Sequence, residues 1–122
     1  MPRTAVTPAQ GTLDGGVTPT STTIDSTLVT NGVVIADVNL EKLVVRVANT
    51  HSSAHAVTIR AGDSLYPAVL SGLGDLAVTV ALTSGVTEFP ALQSARFEQS
   101  DGSLLIDFAT GFTGTLETLY RP

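Results

Sequence analysis

Leu43-Val44-Val45-Arg46-Val47-Ala48 is the stretch that decides the fold class. Leu43, Val45 and Val47 fall on one face and Val44, Arg46 and Ala48 on the other, the two-residue period of a half-buried β-strand. Ala56 to Arg60 continues the pattern, with Val57 and Ile59 facing in and Thr58 and Arg60 facing out. The polar segment Asn49–His55 between them has the length of a hairpin connection. Further along, Leu76, Val78, Val80 and Leu82 form the cleanest alternating face in the chain, opposite Ala77, Thr79 and Ala81.

Other segments extend this reading. Thr27–Thr30 and Val33–Ala36 flank Asn31-Gly32, and Asn-Gly accepts the positive φ that a two-residue type I′ hairpin turn demands. Ala95–Gln99 and Leu104–Phe108 flank Ser100-Asp101-Gly102-Ser103, a second hairpin signature. Val86–Phe89 supplies a short strand before Pro90, and Thr115–Tyr120 a last one. Leu40-Glu41-Lys42 and Ala91–Ser94 are the only candidate helical turns. The sum is roughly seven or eight short strands punctuated by turns, which predicts an all-β fold, an antiparallel β-sandwich of jelly-roll or immunoglobulin-like type. Two sheets would bury the Leu43/Val45/Val47, Val57/Ile59, Leu76/Val78/Val80/Leu82, Phe97 and Leu104/Ile106/Phe108 faces against each other.

Residues 1–20 read differently. Pro2, Pro8 and Pro19 recur among Thr, Gly11, Gly15 and Gly16 without a sustained period, so this segment is expected to be an extended arm ahead of a sandwich domain over residues 21–122. Residues 61–75, with Gly62, Pro67, Gly72 and Gly74, read as a long surface loop.

Composition narrows the function classes. The chain has 122 residues, enough for one domain that buries roughly two-thirds of its unfolded surface. No run approaches the ~18 apolar residues of a membrane-spanning helix, so no membrane role is expected. Met1–Val6 lacks an apolar segment of signal-peptide length, so export by that route is not expected either. Cysteine is absent, which removes disulfide scaffolds and thiol chemistry. A formal charge of −5 and a single lysine, Lys42, argue against a nucleic-acid surface. Thr (18) and Val (14) dominate while charged residues make up 14%, so the surface is expected to be covered by hydroxyls and small apolar groups that lose water cheaply against another protein.

Groups that could carry chemistry are few. His51 and His55 sit four apart, a metal spacing in a helix, but they fall in a loop and no third ligand follows at a recognisable interval. No Gly-x-Ser-x-Gly elbow accompanies the serines. Carboxylate pairs could be drawn from Asp101 and Asp107 or from Asp63 and Asp75, yet Asp101 is explained by its turn and Asp107 by an exposed strand face. Gly72-Leu73-Gly74-Asp75 lacks the strand–turn–helix setting of a phosphate cradle. With no Trp, and only Tyr66 and Tyr120, stacking platforms for sugars or single strands are missing, and Phe89, Phe97, Phe108 and Phe112 read as core or corner residues. Lys42 is the one side chain able to supply the amine of a Lys–Asn/Asp isopeptide cross-link, and its place at a turn does not single it out for that role. No catalytic residue, metal ligand or cofactor is expected.

Two segments carry a resemblance. Arg46–His51 running into Val57–Asp63, and Ala95–Leu104 through Ile106-Asp107 to Gly114-Thr115, together with the Met1-Pro2-Arg3-Thr4 start, resemble small all-β virion proteins of tailed bacteriophages, of the head-decoration or minor capsid kind. The resemblance covers most of residues 43–122 and rests on turns and strand faces. It implies a non-enzymatic virion protein, made in the host cytoplasm. Such a protein binds the major capsid protein on the capsid exterior and reinforces the shell as a small homo-oligomer, trimers being one form. On that reading residues 1–20 and the 61–75 loop are expected to make much of the intersubunit contact. The alternative is a receptor- or glycan-binding sandwich module of a phage tail or adhesin; a small hydrolase ranks last.

Overall fold

The structure, a computed structural model, describes residues 3–62, 74–90, 92 and 94–122. The described chain forms ten strands and two short helices: β1 (Thr4–Ala5), β2 (Ala9–Gln10), β3 (Thr20–Ile24), α1 (Ser26–Asn31), β4 (Val33–Ile35), β5 (Leu43–Asn49), β6 (His55–Ile59), β7 (Leu76–Val80), β8 (Gly85–Phe89), α2 (Ser94–Phe97), β9 (Leu104–Phe108) and β10 (Gly114–Tyr120). No helix among the described residues is long and apolar enough to cross a membrane.

Two five-stranded sheets make the sandwich, one ordered β1-β4-β9-β6-β7, the other built on β2-β10-β5-β8 with β3 also paired to β10. Every pairing among β3 to β10 is antiparallel. Their order, β3-β10-β5-β8 facing β4-β9-β6-β7, is that of a jelly roll. β1 and β2 are parallel additions, so both sheets are mixed rather than purely antiparallel.

The alternating faces land as their sequence dictates. Leu43, Val45, Val47, Val57, Ile59, Leu104 and Ile106 are fully buried, each contributing about 1.5–3 kcal/mol of transfer free energy. Phe97, Phe108 and Phe112 complete the layer between the sheets. The Leu76–Leu82 face is less uniform: Val80 is buried, Leu76 and Val78 are half-buried, and Leu82 lies beyond β7, exposed.

Four expectations about local structure are corrected. Thr27–Thr30 is helix α1, not the first strand of a hairpin. The Asp25 carboxylate accepts the Leu28 N–H (2.9 Å) as an N-cap, Leu28 packs into the core, and Gly32 at φ 77° closes the helix with its N–H on the Leu28 carbonyl. Asn-Gly serves a helix C-terminus for the reason it serves a tight turn, the ease of positive φ. β4 accordingly pairs with β9 rather than with residues 27–30.

The 49–55 segment joins β5 to β6 in opposite sheets, so it is a crossing rather than a hairpin. Ala95–Gln99 is not a strand; Ser94–Phe97 is helical, with the Asp101-Gly102 turn leading into β9. Leu40–Lys42 is a turn, not a helix. Much of the 61–75 loop lies outside the described residues.

Residues 3–10 run along the domain's own sheets, and a turn at Leu13–Gly15 separates them from β3. β1 lies on the β4 edge of one sheet and β2 on the β10 edge of the other, with Val6 buried between. This leader straps one side of the sandwich.

Candidate functional site

Jelly-roll crossings gather α1 and the 50–54, 81–84 and 109–113 connections at one end of the sandwich, and that end holds both histidines. Thr83 N–H donates to the His51 carbonyl and Thr50 N–H to the Thr113 carbonyl, tying the three connections together. Asn49, fully buried, is the hub beneath them. Its amide donates to the Ser53 and Val80 carbonyls (3.0 and 3.2 Å) and its carbonyl accepts the His51 N–H at 3.0 Å.

His51 and His55 meet edge to face, ring centroids 4.6 Å apart, with Phe112 6.0 Å beyond His55. His51 Nδ1 accepts the Ser53 N–H (3.0 Å), whereas His55 Nδ1 donates to the Ser53 carbonyl (2.9 Å), because a carbonyl only accepts. Ser53 therefore engages both rings through its backbone, and the arrangement shapes a loop rather than a nucleophile. Among the described residues no three His, Cys, Asp or Glu side chains converge as metal ligands.

The carboxylates are dispersed. Asp101 Oδ1 accepts the Ser103 hydroxyl (2.6 Å) and N–H (3.0 Å), and these bonds hold its carboxyl below the usual aspartate range. Asp107 faces outward from β9, 2.6 Å from the Arg3 guanidinium and 3.5 Å from that of Arg60. Arg60 also reaches Asp75 (3.2 Å), whose other oxygen accepts the Ala61 N–H at 2.5 Å. Asp101 and Asp107 have separate partners and are not poised as an acid–base pair, whereas Asp63 of the other candidate pair lies outside the described residues, as do Tyr66 and Gly72. Gly74 and Asp75 lead into β7, not a helix.

Basic groups are similarly committed. Arg46, at the centre of the outer face of its sheet, stands between Glu88 and Glu117, both at 3.8 Å and both its direct cross-strand partners. Arg96 lies over the Phe97 ring (4.8 Å) and Arg121 donates to the Glu41 carbonyl. Lys42 is exposed at the opposite end of the sandwich.

A cleft of about 200 Å³ opens between α1 and the 109–113 connection, rimmed by Ser26, Thr30, Thr110 and Thr113 around Val29 and Phe112. Phe112 is 1% exposed, so its ring offers no stacking face to a sugar.

Four large apolar side chains among the described residues also face solvent, in two pairs. Leu13 (82% exposed) and Val17 flank Asp14-Gly15-Gly16, while Leu82 and Val86 flank Thr83-Ser84-Gly85. Asp14, Thr83 and Ser84 all have positive φ, so each pair stands on a constrained turn. The two turns lie at opposite ends of the sandwich.

Sequence reasoning missed the Arg3–Asp107 contact and the Asn49 hub. Arg3 and Asp107 are 104 residues apart, and nothing local marks either as half of a pair. No protein-family model, curated protein or solved structure matches the chain.

Proposed function

We propose that this protein is a structural virion component that binds the major capsid protein on the outer surface of a bacteriophage capsid and stabilises the shell through protein–protein contacts, as a small homo-oligomer and without catalysis. The observation that carries this reading is a division of labour among side chains. His51, His55, Asp75, Asp101 and Asp107 are each engaged in holding loops and strands, while Leu13, Val17, Leu82 and Val86 stand in solvent. Groups committed in this way support adhesion better than turnover.

Three further features support it. The jelly roll is an architecture shared by capsid, lectin and cupin domains, a fold-level analogy that raises the prior for an assembly role. The outer face around Arg46 carries Val44, Ala48, Val86, Thr115 and Leu119, and its one charged row is Arg46 between Glu88 and Glu117, so few charges there would have to lose water. Many weakly held copies on one particle act together, because attachment of each raises the effective concentration of the next contact.

Co-sedimentation with assembled shells lacking the protein tests this reading. Saturable binding is expected, with shells that resist heat or chelators better once decorated, and with protein on intact particles open to antibody. Absence from the pelleted shells would sink it. A clean hit on a glycan array instead would favour the receptor-binding alternative.

A further inference from the structure

We propose that residues 3–10 are exchanged between copies of this chain, each leader filling the slot of a neighbour and clasping the homo-oligomer together. The slot is a built interface. Arg3 bonds Asp107 and reaches the Val33 and Ile106 carbonyls, both at 3.3 Å. Thr4 and Ala5 pair in parallel with Val33 and Val34. Val6 is buried and donates to the Val34 carbonyl (3.0 Å), and the Thr7 carbonyl accepts the Thr20 hydroxyl. Ala9 and Gln10 then pair with Leu119 and Tyr120, and Gly11 N–H closes on the Tyr120 carbonyl at 2.7 Å. Gly32 is part of the fit: a Cβ there would strike the Arg3 guanidinium and the Asp107 carboxylate. No surface of another protein need match this leader, because the same slot on a second copy already does.

The chain between leader and β3 is what makes the exchange possible. Residues 12–18 are all exposed, and their one backbone bond is local, Gly15 N–H to the Thr12 carbonyl. Fully extended, residues 12–19 reach roughly 25–30 Å, enough to cross to an adjacent copy. Exchange re-forms every leader contact, so it costs little beyond the hinge itself. The hinge also holds Leu13, the most exposed large apolar side chain described, and Val17. In a closed chain both stand in water. In an exchanged pair, two hinges pass each other and cover them. This inference rests on the homo-oligomer part of the reading above and is independent of shell binding.

The test is made in solution without shells, so its failure leaves co-sedimentation free to succeed. The full chain is expected to show at least twice the monomer mass by light scattering, and the chain lacking residues 1–11 the monomer mass. A full chain of monomer mass, or an oligomer that survives truncation, overturns the proposal. Because the chain has no cysteine, A5C and V34C variants can be refolded together and oxidised without side reactions. A covalent A5C–V34C dimer is expected, since positions 5 and 34 are cross-strand partners. If the sulfurs fail to join, donor and acceptor dyes on the same two cysteines give the answer by energy transfer. Strong transfer between copies supports exchange; transfer no greater than from a dye pair placed at Ala5 and Lys42 overturns it.

Discussion

Asn49 and Thr118 are both fully buried polar side chains, and they pull stability in opposite directions. Asn49 has three bonds at the hub of the crossing loops, one of them to the buried Val80 carbonyl. Asn49→Ala strands those partners and is expected to cost about 3 kcal/mol in urea unfolding, with an unchanged m-value. The Thr118 hydroxyl has no partner. Thr118→Val keeps the branched shape, removes the desolvated oxygen, and is expected to raise stability by about 1 kcal/mol, or about 4 °C in Tm. A lower Tm would mean the hydroxyl is satisfied in solution. Asp101 offers a titration test. Its carboxyl is held down by Ser103, so its stabilising effect is complete above the ordinary aspartate value of about 3.9 and fades as pH falls through the lowered one. Carboxyl NMR should show Asp101 titrating below the ordinary aspartate value, and Ser103→Ala should move it up toward that value.

Helix α1 and the leader show how one glycine serves two elements. Gly32 ends α1 at φ 77° and leaves room for the Arg3–Asp107 pair. Gly32→Ala is expected to cost about 2 kcal/mol from backbone strain alone. It should also displace Arg3, which faster amide exchange at Val6 would report. Unchanged exchange there would separate the cap from the latch. These elements were the least legible in the sequence. Thr27–Asn31 has β-branched residues and an Asn-Gly that suit a hairpin as well as a helix end. The choice fell to Asp25 capping the first turn and to β9 taking β4 as its partner, and that pairing depends on residues about 70 positions away. The strand faces were legible because a period of two leaves one assignment of in and out once one side is buried.

At the scale of the described molecule, the ion pairs of Arg46 and Arg60 hold little of the fold, in contrast to the close Arg3–Asp107 pair. Arg46 and Arg60 are about half exposed and their contacts span 3.2 to 3.8 Å, a geometry that yields little in water. Raising the ionic strength to about 1 M is therefore expected to change unfolding free energy by less than about 1 kcal/mol. A larger loss would mean that the ion pairs contribute more than their exposed geometry implies. Among the candidate groups, the sequence placed Asp101 in its turn and Asp107 on an outward strand face, and both are there. It could not say that Asp107 would receive Arg3 from the leader and Arg60 from beyond β6, since side-chain partners follow strand order and not strand pattern.

By itself the sequence determined what is local. Alternation along Leu43–Ala48, Ala56–Arg60 and Leu104–Phe108 fixed which side chains enter the core, because a pleated strand has only two faces. Tertiary structure alone decided which strands became neighbours: that residues 49–55 cross between sheets, that Asn31-Gly32 closes a helix, and that the leader lies against its own domain. The physical reason is that neighbour choice in a jelly roll is set by contacts between distant segments, which compete with one another for the same edges and the same core.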